Sequence, residues 1–166
     1  TPSGLAVSRQ LGAVAEMDFS RGKVVFLSDL KPESVVLTPY FGMDKALPLM
    51  EKFFGPRQDK NLEAGPLQLA GKPYRKGLAL HSQTRLVYRL PGRFRRFQAM
   101  AGIDDAVRPA GSVRLTIQAD ERVLLEATIA GSDPPKPVDI DISGARRLTV
   151  LADFGGSLEG NHLDLC

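Results

Sequence analysis

Tryptophan is absent from this chain, cysteine occurs once and histidine twice. A lone cysteine, Cys166, cannot form an internal disulfide, so neither a disulfide scaffold nor dithiol redox chemistry is available. His81, His162 and Cys166 are the soft-metal donors, three where a structural zinc takes four, and without a recognisable pair spacing. No apolar run approaches the roughly 18 residues of a membrane-spanning helix. The first residues lack the basic-then-apolar order of a signal peptide, so any export signal is expected to have been removed already. Charge of one sign is also missing. The 22 Lys and Arg against 19 Asp and Glu leave a net charge of +3 and a pI near 9.2, a dispersed excess that favours solubility and marks out no polyanion partner.

What the chain does have is the composition of one ordinary domain: 166 residues, 43% hydrophobic and 25% charged, with 16 glycines and 12 prolines. Residues 1–22 read as a lead-in. From Lys23 onward, short β-prone segments alternate with Gly, Pro and Asp turns. Lys23–Leu27, Ser34–Thr38, Pro66–Leu69, Gly77–His81, Arg85–Leu90, Phe94–Ala101, Ser112–Gln118, Val123–Ile129, Val138–Ile142 and Arg147–Asp153 all read as strands. Asp44–Phe54 has roughly helical spacing despite Pro48, and its Leu47, Met50, Phe53 and Phe54 need an apolar surface to bury against; Gly55–Gly65 reads as a surface loop. Helices between the strands are missing, which excludes a parallel βαβ arrangement. The expected fold is all-β: an antiparallel two-sheet β-sandwich with a short helical insertion near 43–62. Val113, Leu115, Ile117, Val138, Ile140, Ile142, Leu148 and Val150 should lie between its sheets.

Each polar cluster has a structural reading beside a chemical one. Asp104-Asp105 resembles a carboxylate pair for acid–base work, but neighbours on a strand point to opposite faces, and capping of a turn by carboxylate oxygens suits them better. Ser82 beside His81 makes no triad for the same geometric reason. Asp29, Asp153, Glu159 and Asp164 are hard oxygen donors near strand ends, so calcium stays open as a structural ion, without the spacing of an EF-hand loop. Arg85, Arg89, Arg93, Arg95 and Arg96, interleaved with Tyr88, Phe94 and Phe97, suggest either a solvated edge that discourages aggregation or a nucleic-acid surface; the strand period, which separates Arg95 from Arg96, favours the former.

Several segments carry a family pattern. Lys76-Gly77-Leu78-Ala79-Leu80-His81-Ser82, Tyr88-Arg89-Leu90, Gly102-Ile103-Asp104-Asp105, Gly111-Ser112-Val113, Ser143–Leu148 and Asn161-His162-Leu163-Asp164-Leu165 together resemble the NPCBM family of carbohydrate-binding modules, as does Leu27-Ser28-Asp29-Leu30. The resemblance covers Lys23 to Cys166 and implies a jelly-roll sandwich like the galactose-binding-like domains. It also implies a non-catalytic, extracellular or periplasmic module that tethers a larger protein to glycans. Carried over residue by residue, it makes His81, Asp104, Asp105, Asn161 and His162 the ligand-facing candidates, with His81 and His162 close together. Asp29 and Asp164 are the candidate ligands for calcium. In the closing motif Asn161 stands where the family has Asp and Leu165 where it has Trp, so a sandwich retained as a protein–protein scaffold is the alternative. Without an indole, a stacking ring must come from Tyr40, Phe41, Tyr74 or Tyr88. Three or four hydrogen bonds of about 0.5–1.5 kcal/mol each would give only about millimolar affinity.

Overall fold

The computed structural model describes residues 24–38, 54–91, 94–156 and 159–166. Twelve short strands run through them: β1 (Ser34–Leu37), β2 (Arg57–Gln58), β3 (Leu67–Leu69), β4 (Lys72–Tyr74), β5 (Leu78–His81), β6 (Thr84–Arg89), β7 (Arg96–Ile103), β8 (Ser112–Ala119), β9 (Arg122–Ala130), β10 (Lys136–Asp141), β11 (Arg147–Phe154) and β12 (His162–Leu165). They form one five-stranded sheet in the order β1-β6-β11-β8-β9, a second in the order β10-β7-β12-β5-β2, and a small hairpin, β3-β4. All the pairings are antiparallel.

Period-2 patterning explains which faces meet. Along β8, Val113, Leu115 and Ile117 alternate with Arg114 and Thr116; the first three are buried against Leu148 and Val150 of β11, and against Leu80, Ile103 and Leu163 from the opposite sheet. Seven of the eight residues expected between the sheets are buried, and the eighth, Ile140, packs against that core while half-exposed. The β8–β9 hairpin turns at Asp120 and Glu121, with a register shift between Ile117 and Gln118.

The outer face of the second sheet is itself covered. Leu67 and Leu69 of the β3–β4 hairpin are buried, and Leu67 joins Leu62 and Ala79 in a small second cluster flanked by Tyr74 and Cys166. Gly102 permits this closeness, since a Cβ there would stand 2.8 Å from a Leu69 methyl carbon.

Three expectations change. Val24–Phe26 forms no strand: the three residues are exposed, and Leu27–Asp29 is a 3-10 turn closed by the Asp29 and Leu30 amides donating to the Phe26 and Leu27 carbonyls. High β-propensity yields no strand where no neighbouring strand supplies hydrogen bonds. The loop 55–65 is not all surface, for it contains β2 and the buried Asn61 and Leu62. The arginine cluster is divided between sheets: Arg85 and Arg89 lie on β6, inside the first sheet, whereas Arg96 lies on β7 and pairs with Asp139. Arg93, the lead-in at 1–22 and all but the last residue, Phe54, of the helix expected over Asp44–Phe54 fall outside the described residues.

Truncating Leu80 to Ala, in the middle of the core, should cost about 2–5 kcal/mol in chemical denaturation. Val123→Ala on β9, where the side chain is 54% exposed, should stay within about 0.5 kcal/mol.

Candidate functional site

His81 and His162 face each other across adjacent antiparallel strands. They are register partners on β5 and β12, and directly opposed residues share a face. Their rings meet edge to face with centroids 4.9 Å apart. The ring of Phe54, just before β2, stands 5.4 Å from that of His81, tilted by 60°. Phe54 is 46% exposed, whereas both histidines are half-buried. The result is a small patch at the open edge of the covered face, with an apolar ring beside two imidazoles.

The electrostatics keep this patch neutral. Burial, then the neighbouring His162 and then Arg57 lower the His81 pKa to about 4. Burial also lowers that of His162, against the opposing pull of Glu63 and Asp104. Near neutral pH each imidazole therefore offers one N–H donor and one bare nitrogen acceptor, a pairing that suits hydroxyl groups, which donate and accept.

The other candidates serve the scaffold. Asp104 is 1% exposed; Oδ1 accepts from the Asn61 amide nitrogen (3.2 Å) and the Ala106 N–H (2.9 Å), and Oδ2 from the Gln68 N–H (3.4 Å). Asp105 accepts the Ala70 and Gly71 N–H groups at 2.8 and 2.7 Å, gripping the β3–β4 turn, where both residues have positive φ. Asn161 is 5% exposed and its Oδ1 accepts the Ser112 N–H at 2.8 Å. Asp104 and Asn161, expected to face a ligand, instead face inward because the backbone around them needs acceptors. Asp105 is spent on the hairpin turn.

The two expected calcium ligands are likewise not assembled. Asp29 pairs with Lys76, which also bridges to Asp59 at 2.8 Å. Asp164 is fully buried beside Asp104, and as a carboxylate it has no hydrogen-bond partner on either oxygen. Calcium requires six to eight oxygens, while the groups around Asp104 are N–H donors, which solvate negative charge. Among the described residues, no three His, Cys, Asp or Glu side chains are placed to share a metal ion. A proton suits the Asp104–Asp164 pair better. Burial, followed by the Asp104 carboxylate, pushes Asp164 up to about 9.

The aromatic ring at the site is one that sequence reasoning assigned elsewhere. Phe54 was expected to bury itself with Phe53 on an amphipathic helix, yet adjacent helical residues diverge by about 100°, a sign that one of the two would look away from the apolar stripe. Tyr88 is a core residue, Tyr74 lies under Lys72 at 5.0 Å, and Tyr40 and Phe41 are outside the described residues. A separate cavity of about 450 Å³ opens at the other end of β5 and β12, lined by apolar groups including Val24, Phe26, Phe97, Leu165 and Cys166. It contains none of the polar candidates.

Comparison with known proteins settles the class. A family model described as the NPCBM/NEW2 domain matches residues 23–166. The chain belongs to the NPCBM/NEW2 domain family. Its fold is that of the CBM51 module from Clostridium perfringens GH95, solved with methyl-galactose, at 20% identity and a TM-score of 0.70 over 85% of this chain and 94% of that one. The tandem CBM51 modules of Sp3GH98, a family 98 glycoside hydrolase from Streptococcus pneumoniae, superpose with a TM-score of 0.67 at 18% identity, covering 97% of this chain and 50% of theirs. A Renibacterium salmoninarum protein that carries the name endo-alpha-N-acetylgalactosaminidase is 26% identical over 97 residues, 58% of this chain but only 6% of that protein. Family and fold are those of non-catalytic carbohydrate-binding modules. No helix among the described residues is long and apolar enough to cross a membrane.

The buried pair gives a signed pH prediction. An Asp with a folded pKa near 9 and an unfolded value of 3.8 keeps a proton that the unfolded chain has lost, so its contribution to stability falls as pH rises between those values. Asp164→Asn, nearly isosteric and uncharged, should therefore raise the thermal midpoint relative to wild type at pH 8 more than at pH 4. A scan of both proteins across that range checks it; the difference between them removes the opposite contribution of His81.

Proposed function

We propose that this NPCBM domain binds a pyranose ring on the outer face of the second sheet. The sugar's apolar face rests on Phe54, and its hydroxyls bond to His81 and His162. The observation that carries this reading is the exposed phenyl ring set against two neutral, half-buried imidazoles. Aromatic rings offer large, rigid contact area, and neutral imidazoles satisfy hydroxyls without the desolvation cost of a charge. Support for the ligand class comes from the family and from the CBM51 modules solved with methyl-galactose and, in C. perfringens ZmpB, with GlcNAc.

The module works outside the cell as the glycan-targeting part of a longer protein, as the partial coverage of its relatives suggests. One ring and a few hydrogen bonds give weak monovalent binding, with dissociation constants of about 0.1–1 mM, made useful by neighbouring modules or repeated ligands.

Calorimetry with methyl galactoside and methyl GlcNAc should detect such binding. Phe54→Ala should weaken it by about tenfold or more, consistent with the loss of an aromatic contact, while leaving the thermal midpoint nearly unchanged. Affinity should hold from pH 8 to 6 and fall as pH approaches 4, where His81 takes a proton and loses its acceptor.

A further inference from the structure

Arg57 stands opposite Ala79 in the register of β2 and β5, so it shares the outer face that carries His81 two residues along. It is half-buried, and its Nε is shielded from solvent with no acceptor. Among the described residues no carboxylate pairs with it, although Lys76, Arg96, Arg108 and Arg147 all have acidic partners. A guanidinium nitrogen shut off from solvent without an acceptor is costly, and a planar fork of donors is shaped for an oxyanion. Acidic groups act at the other end of the patch: Glu63 and Asp104 bear on His162, whereas Arg57 bears on His81. The site is therefore polarised, positive at the sheet edge and negative toward β12.

We infer that the preferred glycan carries an anionic substituent, a carboxylate or a sulfate, held by Arg57 while the sugar ring lies on Phe54. This rests on the glycan reading above and adds the ligand's charge to it. A bound anion also offsets the field of Arg57 at His81, so His81 should gain a proton more readily in the complex.

The test compares methyl galactoside, galacturonic acid and galactose 6-sulfate by calorimetry at about 25 and 250 mM salt, with His81 followed by NMR titration. At low salt at least one of the two acidic sugars should bind about tenfold or more tighter than the neutral one, and the preference should shrink at high salt. Which acidic sugar wins distinguishes carboxylate from sulfate. Arg57→Gln should bring the preference within about twofold while neutral-sugar binding persists; Arg57→Lys should restore part of it, and the His81 pKa should rise on binding of the preferred acidic sugar where residue 57 is charged, but not on binding of methyl galactoside. Equal binding of all three sugars by the wild type, or a preference that survives Arg57→Gln, overturns the inference and leaves the glycan reading standing. Binding of none overturns both.

Discussion

The Asp104-Asp105 clasp organises the covered face of the second sheet. One carboxylate gathers N–H groups from Asn61, Gln68 and Ala106, and the other takes both amides at the β3–β4 turn. Between them they fasten the hairpin and the loop around Asn61 onto a sheet whose outer face would otherwise be open. Asn61 extends the hold, its own Oδ1 accepting the Glu63 and Gly65 N–H groups. Hydrogen bonds from several N–H groups to one carboxylate, buried at Asp104 and half-exposed at Asp105, are strong and directional, so the layer has one defined position.

The site follows from where that layer stops. Under the hairpin the sheet is closed off from solvent, with Leu67 and Ala79 packed near the buried Asp104 and Asp164; at its margin the same face presents His81 and His162. Their partial burial keeps both rings neutral, and Phe54 closes one side. Asp164 sits behind them as a buried acid beside Asp104. It links the clasp to β12 without a charge of its own at neutral pH. The face thus combines a covered interior with an exposed edge of mixed character, an aromatic ring beside two polar rings.

Much of this was legible in the sequence, and the losses have physical reasons. Strict alternation over Ser112–Gln118 and Val138–Ile142 located core strands, because period 2 has no other common cause. The two histidines were paired correctly because their motifs fall on neighbouring strands. Val24–Phe26 misled, since a β-prone run says nothing about whether a partner strand is available. Asp104 and Asn161 were given to the ligand because a polar residue in a motif looks alike whether it faces solvent or staples backbone. Turn capping, the reading that the residues themselves favoured for the Asp pair, is what the geometry shows. Phe54 was missed because the local sign, that Phe53 and Phe54 cannot both face one apolar stripe, does not say which of them is exposed; that is decided by β2 and β5 arriving beside it, a long-range event. Arg57 was hidden for the same reason, inside a stretch that read as loop.

The central claim is that the edge of the covered face, rather than the apolar cavity at the far end of the same strands, receives the sugar. A crystal structure of the domain soaked with methyl galactoside tests it most directly. The account predicts the pyranose ring stacked about 4 Å from the Phe54 ring, with hydroxyls at hydrogen-bonding distance from His81 and His162. A sugar seated instead among Phe26, Phe97 and Leu165, with the histidine pair untouched, would contradict it.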